Sequence, residues 1–304
     1  MVNYLMLLIA AFIWGSAFVA QSVGADYVGP FTFCAVRNII GALVLVPVII
    51  TINKLNEKKN IQPTDEDGNV INQKEYIKNT VIGGICCGLV LFVATNLQQA
   101  GVQYTTAGKA GFITALYVVL VPVSGIFFKK KVHPIVWLSV AMSVCGLYLL
   151  CINGESLTIG KGELLVLLCA FSFTGHILVI DHFSNKVHAV MMSSIQFIVV
   201  FILSSIAMFI FEAPTLDDIM AAMGPILYAG VLSSGIAFTL QIIAQKRANP
   251  TICSLIMCLE SVFSVLTGWA VLHEEMTSRH IIGCIIMFVA IIIAEMPKPK
   301  KANA

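Results

Sequence analysis

Ten stretches of this chain are apolar for about the thickness of a bilayer, and polar turns separate them. They cover residues 5–24, 31–51, 80–101, 107–128, 134–152, 162–181, 189–211, 222–244, 250–272 and 280–296. A helix of about 20 apolar residues crosses a hydrocarbon core of ~30 Å. Backbone in lipid must also satisfy its own hydrogen bonds, so each stretch is predicted to be a transmembrane helix. Charged residues make up only 11% of the chain, against about 25% in a soluble domain. The chain is therefore expected to be an all-α polytopic membrane protein, with the lipid bilayer as its first partner. A net charge of +2 gives no footing for nucleic acid.

The first stretch has no lysine or arginine before it and outruns the apolar core of a cleaved signal, so it reads as a retained helix. The basic residues orient the rest. With the N-terminus in the cytoplasm, fourteen fall on the inner side, among them Lys58, Lys59, Lys129, Lys130, Lys131, Lys246, Arg247 and Lys298. Only Lys161 and Arg279 fall outside, while Arg37 and Lys109 lie within spans. The positive-inside rule then puts both termini in the cytoplasm and the protein in the cytoplasmic membrane. Residues 52–79 mix lysines with acids around Pro63 and Asp67-Gly68 and read as a solvated cytoplasmic connection, with a short surface helix at its end.

The chain also repeats itself. A shift of 143 residues lays Leu97-Gln98 on Leu240-Gln241, Ile113 on Ile256, Leu116 on Leu259, Val119 on Val262 and Gly125 on Gly268. Lys131 after the fourth span corresponds to Glu274 after the ninth, a reversal expected if the second copy is upside down. The expected architecture is ten transmembrane helices as two inverted five-helix repeats, residues 1–152 and 153–304. Such repeats form transporters with a binding site near the midplane.

The stretch Tyr104–Pro122 is the centre of that scheme. Ala107, Gly111 and Ala115 recur every four residues, a narrow stripe where another backbone comes close, and Lys109 lies on the opposite side. Ionisable groups inside spans are expensive and point to function. Glu260 is nearly central in the ninth span, with Cys253, Met257, Ser264 and Thr267 at helical spacing on its face. A carboxylate there is a candidate for taking and releasing a proton during a cycle.

Arg37, about two turns into the second span, has three open readings: snorkelling outward, pairing with an acid such as Asp26, or holding an anionic group in a cavity. His176 is a candidate polar group in the sixth span. Asn96, Gln99 and Gln103 share one face of the third span, and Gln241 and Gln245 one of the eighth, so these amides face the bundle. Trp14 and Tyr117 are candidates for stacking on a flat substrate. Gly84 and Gly88 read as helix packing.

Other chemistry is not encoded. The nine cysteines fall in apolar segments without metal-ligand spacing and read as small core residues, so no metal and no cofactor is expected. His273-Glu274-Glu275-Met276-Thr277 has threonine where a zinc-binding helix needs its second histidine. Leu232 stands where an intramembrane serine protease needs glycine before Ser233-Ser234-Gly235. No phosphate-cradling glycine loop is present, so any transport would be secondary and no enzyme is expected.

Trp14-Gly15-Ser16, Arg37 followed by Gly41 to Pro47, and above all Tyr104 to Pro122 resemble the EamA branch of the drug/metabolite transporter superfamily. The resemblance covers nearly the whole chain. It implies ten helices in two inverted repeats, and a central cavity lined mainly by spans one, three, four, six, eight and nine. It also implies a membership that includes exporters of amino acids and other small metabolites. The chain departs from the family in carrying Lys130-Lys131 where members often have Gly-Glu, and in the length of its 52–79 loop.

The expectation is a secondary transporter working by alternating access, exporting a small polar or zwitterionic metabolite such as an amino acid, with protons as a possible coupling ion. Glu260 is its coupling or substrate-sensing group, Arg37 and Lys109 its charge partners, and Trp14, Asn96, Tyr117, His176 and Gln241 its cavity wall. One alternative is uptake or exchange of an anion such as a sugar phosphate. Another is a non-transporting receptor or scaffold using the 52–79 loop.

Overall fold

The structure, a computed structural model, describes residues 2–59, 62–63, 70–105, 107–127, 132–151, 160–246, 248–272 and 275–295. The Lys129–Lys131 cluster, Thr106, Arg247, His273-Glu274, most of the middle of the 52–79 loop and the basic tail lie outside the described residues. Apart from turns and short connections those described are helical, with no strand among them.

Eight helical segments are long and apolar enough to cross a membrane: Val2–Ala25, Pro30–Lys58, Gln73–Val102, Lys109–Phe127, Lys161–Lys186, Ala189–Phe211, Met223–Gln245 and Pro250–Val271. Pro134–Leu150 and Ser278–Ala294 are apolar helices of shorter length. The outward faces are aliphatic and aromatic, with Leu43, Ile206, Phe209, Ile285 and Ile292 exposed. That surface suits lipid and would be an aggregation hazard in water.

Helix α1 is Val2–Ala25, α2 Pro30–Lys58 and α3 Gln73–Val102. Two of these outrun their expected spans: α2 and α3 continue as helix into the 52–79 connection, so less of it is loop than the composition suggested. Lys54, Glu57 and Lys58 fall at i, i+3 and i+4, a spacing that supports a helix in water once its apolar part is anchored. At the other end of α2, Gly29 has no side chain to cap the helix, and Glu212 does so from a distance. Its carboxylate accepts from the Phe31 N–H at 2.9 Å, the Thr32 N–H at 2.8 Å and the Thr32 hydroxyl at 2.6 Å.

The fourth and ninth spans are each broken. The fourth is α4 (Ala107–Thr114) and α5 (Tyr117–Phe127), joined through a tight turn at Ala115-Leu116. The Leu116 N–H bonds to Ile113 O at 3.2 Å and the Val119 N–H to Leu116 O at 3.0 Å, i to i+3 bonds in place of α-helical ones. Helix α6 is Pro134–Cys151, α7 Lys161–Phe183 and α8 Ala189–Phe211. After the short helices α9 (Leu216–Ala221) and α10 (Met223–Leu227), residues Tyr228–Phe238 are wound as a π-helix that runs into α11 (Thr239–Gln245).

The ninth span is α12 (Pro250–Met257) and α13 (Glu260–Leu272), broken at Cys258-Leu259, and α14 is Ser278–Glu295. The continuous helix expected over 250–272, with one semi-polar stripe from Cys253 to Thr267, is therefore two. Only Met257 of that stripe joins Glu260 on the central cavity, and the Thr267 hydroxyl bonds back to Phe263 O at 2.7 Å.

Small residues set the crossings. A Cβ on Gly84 or Gly88 would meet Ile195 or Val199 of α8 at 2.6 Å, so that pair lets α3 and α8 touch. A Cβ on Gly146 would lie 2.6 Å from Met287, and one on Gly283 2.9 Å from Leu150. This α6–α14 contact is reciprocal, since Met287 follows Gly283 and Leu150 follows Gly146 by four residues. Of the cysteines whose side chains are described, Cys34, Cys87, Cys169, Cys253 and Cys258 are buried, but Cys145 is exposed, so it is not a core residue.

Candidate functional site

The two broken spans pack crosswise, α4 against α13 and α5 against α12, which brings the first residues of the two downstream helices within reach of each other. Tyr117 is the first residue of α5 and Glu260 the first of α13, and the Tyr117 hydroxyl donates to Glu260 Oε1 at 3.1 Å. Their separation in sequence, 143 residues, equals the shift that superposes the two halves of the sequence. Both side chains are buried. The Glu260 carboxylate also stands at the amino end of a helix, where the helix dipole favours negative charge.

Gly15 fixes α1 against this point. A Cβ there would lie 2.4 Å from Glu260 O and 2.6 Å from Phe263 Cβ, so only glycine lets α1 meet the start of α13. Trp14 is thereby held beside Glu260, edge-on to Phe238 with centroids 4.9 Å apart. The Ser16 hydroxyl bonds to Tyr228 at the head of the π-helix. On the other side of α13, Ser261 Oγ donates to Gly111 O at 3.2 Å, a close approach that the small stripe of α4 permits. The π-helix presses on α2 through Gly230, whose Cβ would lie 2.9 Å from Arg37 O.

These contacts surround a central cavity of about 40 Å³, room for a few waters with the helices as they stand. Glu260, Arg37, Gln21, Gln98 and Gln241 line it together with Thr95, Thr114, Tyr117 and Ser233. Trp14, Phe18, Phe173 and Phe238 give it aromatic walls. Among the described residues, Arg37 Nε, Trp14 Nε1, Gln21 Oε1 and Gln241 Oε1 are buried with no hydrogen-bond partner. Buried polar groups are normally paired, so two donors and two acceptors facing one cavity mark a place where something else pairs with them. Arg37 is 2% exposed, and its guanidinium lies over the Phe33 ring. It neither snorkels nor bonds to a described carboxylate.

Not every candidate reaches the cavity. Asn96 lies on α3 between the lining residues Thr95 and Gln98, but points at α8, donating to Ser204 Oγ at 3.0 Å. Gln99 Nε2 donates to Gln21 O at 3.1 Å, and Gln103 is exposed. His176 is fully buried one layer behind the cavity, with Nε2 3.0 Å from Gln196 Oε1 and its ring edge-on to Phe238. Lys109 is half-buried on α4, where its charge acts on Glu163 at the start of α7. Sequence reasoning passed over Gln21, Thr95, Gln98 and Thr114. Of these, Gln98 was visible only as the position that the repeat lays on Gln241. Among the described residues no cluster of His, Cys, Asp and Glu has the makings of a metal site.

The profile of the EamA-like transporter family matches this chain over residues 1–152 and again over 160–296. An uncharacterized transporter of Archaeoglobus fulgidus is 28% identical over 296 residues, covering 95% of this chain and 84% of that protein. The uncharacterized transporter YoaV of Bacillus subtilis is 28% identical over 284 residues, 90% of each chain. A solved crystal structure superposes with a TM-score of 0.75 over 97% of this chain and 98% of its own, at 17% identity, a likeness of fold alone.

Proposed function

The chain belongs to the EamA-like transporter family, and from that premise we propose that it is a secondary transporter exporting amino acids or similar small metabolites by alternating access. It is a multi-pass membrane transporter; the substrate class, the direction and the cycle are this proposal. The observation that carries it is the central cavity, in which a guanidinium with an unpartnered Nε and a carboxylate share one aromatic-walled space. A zwitterion matches that pattern. Its carboxylate suits the planar fork of Arg37, and its ammonium suits Glu260 and the free carbonyl oxygens of Gln21 and Gln241.

Alternating access needs two halves that rock about the site. Ten helices in two inverted five-helix repeats, residues 1–152 and 153–304 with both termini cytoplasmic, supply them. This arrangement is supported by the two separate family matches, the matched breaks in the fourth and ninth spans, and the reciprocal Gly146–Gly283 contact. The Tyr117–Glu260 bond then joins equivalent residues of opposite halves at the site itself. A ligand ammonium or a proton arriving at Glu260 competes with the tyrosine, which couples occupancy to the contact between the halves.

Exchange of an anion such as a sugar phosphate draws on Arg37 alone, since Lys109 is not among the lining residues. Counterflow of a panel of radiolabelled amino acids into proteoliposomes tests the proposal, with Glu260→Gln alongside. Saturable counterflow of one or a few, lost in the variant, is expected. Normal transport by Glu260→Gln across the pH range would remove Glu260 from the mechanism, and uptake of sugar phosphates with no amino acid moving would overturn the substrate class.

A further inference from the structure

A second chamber lies toward the end of the bundle that the lysines assign to the cytoplasm. It has a volume of about 660 Å³ between the C-terminal end of α2 and the N-terminal ends of α3 and α8, and is lined by Asn53, Tyr76, Thr80, His188 and Lys246 among others. Between this chamber and the central cavity sits a separate apolar cluster of Cys87, Ile180, Val187, Met192 and Ile242.

The helices that pass through it keep the same order. On α11, Gln241 lines the cavity, Ile242 is in the cluster, and Lys246 just beyond lines the chamber. On α3 the sequence is Thr95, Cys87, Thr80, a climb of about 22 Å by helical rise. On α7, Ile177 lines the cavity and Ile180 is in the cluster; on α8, Met192 is in the cluster and His188, next to its start, lines the chamber.

The helices that carry the cluster also hold polar groups that an ordinary apolar core would not keep. Ser193 Oγ, Gln245 Oε1, His176 Nδ1 and Gln196 Nε2 are buried on α7, α8 and α11 with no partner among the described residues. Orphaned buried groups are unfavourable, and these lie on the three helices that give the cluster Ile180, Met192 and Ile242.

We propose that the cluster of Cys87, Ile180, Val187, Met192 and Ile242 is the inner gate of the transport path, closed in this structure, and that the chamber beyond it is the vestibule from which a polar solute enters. The orphaned groups become paired when the gate opens and water and solute pass. Apolar side chains make the seal, since a constriction without polar partners expels water. This inference rests on the reading of the central cavity as the transport site.

Cys87 is a native reporter of the gate, fully buried within it. The experiment applies a membrane-impermeant maleimide to inside-out membrane vesicles and follows modification residue by residue with peptide mass spectrometry. Gln73→Cys, an exposed residue of the chamber wall, gives the reference rate. A gate open only in a minor state protects Cys87 about 10- to 1000-fold relative to that reference. Trimming the seal with Ile242→Ala, or with Ile242→Val where the larger change unfolds the protein, raises the Cys87 rate several-fold and leaves Gln73→Cys unchanged. Cys87 reacting as fast as Gln73→Cys, or a rate indifferent to both trims, overturns the gate. Labelling needs no substrate, so a normal gate result beside failed amino-acid counterflow would overturn only the substrate reading.

Discussion

The two broken spans are built alike and differ in one side chain. Each stops at an apolar pair, Ala115-Leu116 or Cys258-Leu259, and restarts at the residue that faces its counterpart. At that residue the first half carries a phenol and the second a carboxylate. The shared break is a feature of the frame and exposes the start of a helix to the cavity. The difference between Tyr117 and Glu260 is chemistry, since a carboxyl group can carry a negative charge near neutral pH, whereas a phenol ordinarily stays neutral there. In a repeated architecture, function is to be sought where equivalent positions stop being equivalent.

The largest effect should come from removing the contact that seats only the second of these helices. Gly15→Val puts atoms inside the Glu260 carbonyl and Phe263. The expected loss is about 3 kcal/mol or more of stability, read as a fall in thermal midpoint in detergent together with loss of transport. A variant as stable as wild type would mean that α1 and α13 are not held at this point.

Next comes the comparison itself. Glu260→Gln should reduce counterflow by two orders of magnitude or so, because the carboxylate gives its strength to a charge-assisted contact. Tyr117→Phe removes one hydrogen bond to a carboxylate, worth about 1.5–3 kcal/mol, but keeps the carboxylate for the ligand, and should cost roughly tenfold. Equal losses in kcat/KM would make the pair a structural bond and nothing more.

Arg37→Gln should raise KM by roughly tenfold to a hundredfold while leaving kcat less affected, on the scale of a lost ionic contact to a bound ligand. An unchanged KM would remove the guanidinium from the ligand site.

The smallest effect lies at the chamber. Burial, with Lys246 adding to it, holds the His188 imidazole below its ordinary value near 6.5. The folded state therefore binds fewer protons than the unfolded state as pH falls through ~6.5. The contribution of His188 to stability is present above that pH and is lost below it. His188→Gln should flatten this part of the stability profile between about pH 7 and 5. An unaltered acid limb would contradict the assignment.

Much of this was legible in the chain. The spans follow from apolar length, and Glu260, Trp14, Tyr117, Arg37 and Gln241 all line one cavity, because polar groups inside a bilayer have few places to go. The breaks were not legible. Hydropathy averages over a whole span, and both breaks lie between apolar residues that read as continuous helix. Nor was the face of α3. Asn96 and Gln98 are two positions apart, both buried and both amides, and only the position of Ser204, more than a hundred residues on, turns Asn96 away from the cavity. His176 is similar, its partner Gln196 belonging to the next helix.

The most direct test of the account is proton movement. Proteoliposomes carrying a trapped pH dye would be given each amino acid in turn, wild type beside Glu260→Gln. The account predicts that the transported compound moves protons in the wild type and that both signals are lost in the variant. A labelled compound that crosses equally well in both, without a proton signal, would contradict it and leave Glu260 as a structural carboxylate in a passive facilitator.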